Sequence, residues 1–339
     1  MWLIRPAHTA DTDAVLLLAS SMGPGMTTFP ADRNVIAAKV ENAAASFAGD
    51  VGGADAQYLL VMEDTDTGSI LGVSAVYPEI GQPFGFFSYH MDRLVQHAPT
   101  IEYHLDCSVL NLSNAYTGLT EIGTLAVDPA VRGGGAGKML AKARYLLMAS
   151  FPGLFADRVI AEMRGWQNPD GSSPFWNAVG RRFFGLDFAQ ADALSAVQGA
   201  EFIANLMPKF PIYLDLLPDS VRDVVGRPHQ TSAIAMKMLI EEGFRFENYV
   251  DVFDAGPQVI APLSNIRTVE ESFRARLGEH TTDPEASGVD LLVCNSILEE
   301  FRLVRTRGRI DGGVLSLRSA ASGALRLDSG DEARAVSIG

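Results

Sequence analysis

The chain holds little that would crosslink it, anchor it or ligate a metal. Its 339 residues include only two cysteines, Cys107 and Cys294, in no metal-like spacing. That argues against a disulfide framework and fits a reducing compartment, so a cytoplasmic location is expected. No apolar run reaches the roughly 18 residues of a membrane-spanning helix, and no membrane partner is expected. The opening Met1-Trp2-Leu3-Ile4-Arg5-Pro6 lacks an apolar core followed by a small-residue cleavage site, so no secretory signal is read. Positive charge is scarce: Lys+Arg number 27 against 41 Asp+Glu, a net charge of −14. Nucleic acid needs a basic face and is not an expected partner. The acidity serves solubility, and a negative field can also favour a cationic small substrate. Of the six histidines, His8, His90, His97, His104 and His280 show no ligand spacing, and no metal is expected.

What the chain does contain is an ordinary globular composition, 47% hydrophobic and 20% charged, long enough for two domains or one domain with an appendage. The pattern predicts a strand over Trp2–Arg5 ended by Pro6. A helix to about Ser20 follows, capped by Thr9 or Asp11. Gly23 to Pro30 reads as a loop, of which Gly25–Pro30 closes over substrate or is a passive connection. A helix over Ala31–Phe47 and a hairpin of Tyr58–Met62 with Ile70–Tyr77 come next. Residues 81–118 read as an irregular insertion. Beyond it are a strand over Glu121–Val127, a helix over Gly135–Ser150, a strand over Arg158–Met163 and helices over Pro174–Phe183 and Thr231–Glu242. Residues 290–339 read as short alternating strands with turns at Asp311-Gly312-Gly313 and Asp328-Ser329-Gly330.

The most informative stretch joins the strand at Glu121 to the helix that ends at Ser150. Between them lies Arg132-Gly133-Gly134-Gly135-Ala136-Gly137, four glycines in six residues. Glycine permits positive φ and close approach of backbone to a ligand. Successive N–H groups in such a turn form an anion nest, and the helix N-terminus adds unpaired N–H groups and a positive dipole end. Together they can cradle a pyrophosphate; the plainer reading is a glycine-rich connection. A dinucleotide fold would carry this turn after its first strand, and a Walker motif would follow Lys138 with Ser or Thr rather than Met139. Both nucleotide readings fail.

The order strand, helix, helix, hairpin, strand, Arg-x-x-Gly-x-Gly turn, helix, strand resembles the GNAT acyltransferase superfamily, whose CoA signature Arg132-x-x-Gly135-x-Gly137 fits. Ile4-Arg5-Pro6-Ala7 followed by Asp11 or Asp13 is similar as well. The resemblance narrows over residues 1 to about 260. Glu162-Met163-Arg164-Gly165, Ser173-Pro174-Phe175-Trp176, Leu206-Met207-Pro208-Lys209 and Tyr249-Val250-Asp251-Val252-Phe253-Asp254-Ala255-Gly256-Pro257 occur in the order of the arginine N-succinyltransferase family, which includes the arginine/ornithine succinyltransferase subunits. The turn is more glycine-rich than is usual in that family.

The resemblance implies an α+β, GNAT-like acyl-CoA N-acyltransferase fold with a mixed central sheet. A GNAT-like CoA-binding domain is expected at 1–190, a second, partly GNAT-like region carrying His229 at 191–260, and a small β-rich C-terminal appendage at 261–339. It implies succinyl-CoA as co-substrate and the α-amine of L-arginine as acceptor. The alternatives are ornithine or another amine, or a mainly structural subunit of a heteromeric enzyme. A homo- or hetero-oligomer fits either. His229 is implied as the proton donor, for which the plainer reading is a capping or surface histidine. Leu125 is the implied succinyl-CoA contact on the central strand, with Arg132, Gly133, Gly135 and Gly137 around the pyrophosphate. Glu162 is a candidate for the acceptor's guanidinium or for a structural ion pair with Arg164 or Arg181. Arg164 is a candidate for the succinyl carboxylate, with Lys209 as its rival.

Overall fold

A computed structural model describes residues 1–22, 29–198, 206–278 and 288–338. The loop read at Gly23–Pro30 falls mostly outside these residues, as does His280. The chain divides into two compact units that interleave along the sequence. Residues 1–79, 120–157 and 262–339 make the first, and 80–119 with 158–261 make the second. The expected boundaries 1–190, 191–260 and 261–339 cut the chain differently, because the C-terminal strands pair with the first strand of the chain.

In the first unit, β1 (Trp2–Pro6), β2 (Tyr58–Asp64), β3 (Ile70–Tyr77) and β6 (Thr120–Val127) form an antiparallel run in that order. Three helices serve it: α1 (Thr12–Ser21), α2 (Arg33–Ala48) and α3 (Ala136–Ser150). This is the GNAT-like element order that the sequence led us to expect. Asp32 caps α2 by accepting from the Asn34 and Val35 amides at 2.9 and 3.0 Å, a contact worth about 1 kcal/mol. The face of α2 formed by Ile36, Val40, Ala43 and Phe47 is buried against the core. Of the two aspartates that follow the Ile4-Arg5-Pro6-Ala7 opening, Asp11 is the one that meets Arg5. Its carboxylate takes a two-pronged contact from Arg5 at 2.7 and 3.0 Å, while Asp13 pairs with Arg33.

The C-terminal strands close on themselves. β11 (Phe273–Leu277), β12 (Val289–Asn295), β13 (Leu303–Asp311), β14 (Val314–Ser316) and β15 (Glu332–Ser337) pair in the cycle β12-β15-β11-β14-β13-β12. Closure leaves the ring no free edge. β13 also pairs with β1 through Leu3 opposite Val304 and Ile4 opposite Leu303. The turn read at Asp311-Gly312-Gly313 joins β13 to β14, with both glycines at positive φ.

In the second unit the strand order is β7 (Arg158–Glu162), β10 (Pro257–Pro262), β9 (Arg245–Asp251), β4 (Ser88–Ala98), β5 (Tyr103–Ser113) and β8 (Ile212–Tyr213). Residues 81–118 are therefore not irregular. β4 and β5 pair without a break from Ser88 opposite Ser113 to Ala98 opposite Tyr103. The helix read over Pro174–Phe183 is two short helices, Pro174–Ala178 and Gly180–Phe184. Gly180 is required there, because a Cβ would come within 2.3 Å of the buried Trp176 ring.

Candidate active site

The glycine turn of the first unit has the geometry its composition suggests. Asp128 stops β6 and accepts from the Ala130 amide at 2.8 Å, which sets a short 3-10 turn. Gly133 and Gly135 then take φ of 84° and 91°, values open to glycine at little cost, and Gly135 is the residue that caps α3. Ala136, Gly137 and Lys138 carry the first-turn amides that a helix leaves without intrahelical partners. Arg132 is exposed, and its Nε donates to the Val127 carbonyl at 3.3 Å. Gly137 lies against Val127. A cation the sequence did not assign joins this group: Arg305 of β13 reaches to 4.0 Å from where a Gly135 Cβ would stand.

Upstream on the same strand, β6 bulges. Val73 pairs with Ala126 and Ala75 with Gly123, so Ser74 faces two residues, Thr124 and Leu125. Thr124 has φ of 50°, an outlier for a β-branched residue and a strain of about 1–3 kcal/mol. The Tyr77 phenol, 2.9 Å from Thr124 Oγ1, ties the bulge down. Burial raises the phenol's pKa, so it keeps its proton and can donate. Leu125, the expected contact on the central strand, is half-buried within the bulge, whose extra residue breaks the regular backbone pairing. Below it, the buried Arg144 of α3 donates to the Gly123 carbonyl at 3.3 Å. An arginine on the apolar stripe of α3 was the available signal for this contact.

His229 belongs to the second unit. Its backbone N–H donates to the Arg164 carbonyl at 2.7 Å, and Gly165 bridges to Pro228 beside it. Asp254 holds the partner loop by accepting from the Gly165 amide at 2.7 Å and the Gly256 amide at 2.8 Å. Neither glycine has room for a Cβ: at Gly165 it would meet the Asp254 carbonyl at 2.4 Å, and at Gly256 the Met163 carbonyl at 2.1 Å. Three loops, around residues 164, 228 and 254, are thus knit into one support for the histidine. Burial raises the pKa of both Asp251 and Asp254, and Asp251's charge adds to the rise at Asp254.

The His229 ring is pinned on one side. Nδ1 lies 2.7 Å from Thr231 Oγ1 and accepts the Thr231 amide at 3.2 Å. The amide contact makes Nδ1 an acceptor, so the neutral ring as held carries its proton on Nε2; the other tautomer keeps the threonine hydroxyl as acceptor and gives up the amide contact. Nε2 has no hydrogen-bond partner among the described residues and is the ring atom open to chemistry. Burial lowers the pKa of His229, and the Arg164 charge lowers it further, which favours the neutral ring near pH 7. Arg164 itself donates to Gln167. Glu162 Oε1 accepts from Gln258 Nε2 at 2.6 Å, and Arg181 pairs with Asp187 at 3.1 Å. Arg227 stacks over Trp166 at 4.0 Å, a contact no sequence motif announced.

Among the described residues no group of three or more His, Cys, Asp or Glu could hold a metal ion. No described helix is long and apolar enough to cross a membrane. The arginine N-succinyltransferase beta subunit family matches residues 2–268, and the C-terminal domain of the same subunit matches 273–337. The arginine N-succinyltransferase subunit beta of Pseudomonas aeruginosa is 38% identical over 336 residues, covering 99% of this chain and 98% of that protein. An arginine N-succinyltransferase of Escherichia coli is 36% identical over 340 residues, with 100% and 98% covered. The solved structure of the arginine/ornithine succinyltransferase subunit AI from Pseudomonas aeruginosa superposes with a TM-score of 0.90 at 32% identity, covering 100% of this chain and 99% of that one. The chain belongs to the arginine N-succinyltransferase beta subunit family.

Proposed function

We propose that this chain transfers the succinyl group of succinyl-CoA to the α-amine of L-arginine. The observation that carries the reading is the family match over both parts of the chain, 2–268 and 273–337, in a protein that retains His229 with Nε2 open. The acceptor ammonium first loses a proton. The neutral amine then attacks the thioester carbon, a C–N bond forms and the C–S bond breaks. The sulfur leaves and is protonated to the CoA thiol. One proton is released for each amide formed.

The amides from Gly133 to Gly137, with Arg132, hold the pyrophosphate. The backbone at Leu125 meets the thioester arm, where a donor would stabilise the oxyanion. His229 takes up a proton or delivers one to the leaving sulfur through Nε2. Arg164 is assigned to the succinyl carboxylate, a planar group that a guanidinium fits, and Glu162 to the acceptor's guanidinium. The name of the Pseudomonas aeruginosa structure, arginine/ornithine succinyltransferase, supports ornithine as a second acceptor, and the subunit names of both relatives support an assembly of more than one chain. The two unpaired cysteines suit a cytoplasmic setting. Free CoA thiol should appear only when succinyl-CoA and arginine are both present; folded protein that releases none at any workable concentration contradicts the proposal.

A further inference from the structure

The bulged strand of the first unit has a charged neighbour that the assignments above leave unused. Lys39 projects from α2, half-buried, with its ammonium 5.5 Å from the centre of the Tyr77 ring. Tyr77 pairs in register with Glu121, and its hydroxyl reaches the strained Thr124 at 2.9 Å. A Cβ at Gly123 would stand 3.2 Å from the Tyr77 ring and 3.7 Å from Glu121 Oε1. Lys39, Tyr77, Glu121 and Thr124 therefore make one polar group around the bulge. The three donors of Lys39 find no hydrogen bond or ion pair among the described residues. Burial lowers its pKa, while the nearby Glu121 carboxylate works to keep it charged. A lysine held in this way is a point charge without an acceptor.

We infer that Lys39 is the site for the α-carboxylate of the acceptor amino acid. The inference rests on the proposed function, which places the reacting thioester beside Leu125. In an α-amino acid the carboxylate is two covalent bonds from the attacking nitrogen. An amine delivered to the thioester must bring its carboxylate to the immediate surroundings of the bulge, and Lys39 is the unpartnered cation of that group. The Tyr77 ring beneath the ammonium holds it in place through the attraction of a cation for an aromatic face. The class of ligand is thus an α-amino acid rather than any primary amine. Specificity follows, because a site built around a half-buried charge disfavours an analogue that leaves it unpaired.

The test uses L-arginine, its carboxamide argininamide, and agmatine, which lacks the carboxylate. Wild-type enzyme should favour arginine over both analogues by about 10–100-fold in kcat/KM, the usual worth of one charge-assisted contact. Lys39→Met should lose a similar factor with arginine, leave agmatine turnover and KM for succinyl-CoA unchanged, and so erase the preference. Lys39→Arg should keep most of it. Equal use of argininamide and arginine by the wild type overturns the assignment without any variant. So does an equal fall of arginine and agmatine turnover in folded Lys39→Met. A wild type that succinylates neither arginine nor its analogues refutes instead the function on which the inference rests.

Discussion

At the scale of single residues, the account turns on how His229 is held. Its pKa lies below the ordinary value of about 6.5, first through burial and then through the Arg164 charge. If the neutral ring is the form that accepts the amine's proton, kcat/KM should fall on the acid side only below that ordinary value. Arg164→Gln removes a positive charge, so the imidazolium becomes easier to form and the acid limb should move to higher pH. A limb that stays in place in that variant separates the titration from His229. The glycine turn offers a second test. Gly135 sits at φ 91°, so Gly135→Ala already carries strain, whereas Gly135→Asp adds a carboxylate where the pyrophosphate is proposed to bind. Asp should raise KM for succinyl-CoA about tenfold or more beyond Ala, as a repulsive contact with a phosphate implies. Equal KM values in the two variants would leave strain as the whole effect. The need for glycine was legible in the sequence at this turn. The strain at Thr124 was not, because nothing about a threonine in a strand announces positive φ.

At the scale of elements, loops do the positioning in the second unit. Asp254 accepts two backbone amides on separate oxygens, and the loops around 164 and 228 hang from it. Asparagine can offer only one acceptor oxygen, so Asp254→Asn should lose about 1–3 kcal/mol of stability for the amide left unsatisfied. The pH sign also follows. A carboxyl whose folded pKa is raised stabilises the fold fully below its usual range of about 4 and loses that contribution as pH rises through the folded value, about 8 for Asp254. The melting temperature should therefore decline over that window in the wild type and decline less in Asp254→Asn. Identical slopes would contradict the coupling. The sequence announced Asp251 to Pro257 as a family stretch but not its task, because the bonds join residues some ninety positions apart, as Gly165 and Asp254 are. The same limit hid the β4–β5 pairing. β4 from His90 onward and β5 up to Asp106 are half-buried or exposed with no regular alternation, so the polar–apolar pattern is weak.

At the scale of the whole molecule, the α+β, GNAT-like order from Trp2 to Ser150 was readable because each element carries local signals. Pro6, the Asp32 cap, the Gly68 turn and the Gly135 cap mark its boundaries. The division into units was not readable in that way. It depends on β13 lying against β1, a pairing of residues 3 and 4 with 304 and 303 that no local pattern encodes. The C-terminal strands were expected as a β-rich appendage. They form a closed ring whose β13 also brings Arg305 to the glycine turn. The function proposed for this molecule is most directly tested by thiol release from the isolated full chain, assayed beside His229→Ala. The account predicts release that requires both succinyl-CoA and L-arginine in the wild type, and a fall of about 100-fold or more in kcat for His229→Ala with succinyl-CoA binding unchanged. Release that does not depend on arginine, or a His229→Ala enzyme as fast as the wild type, would contradict it.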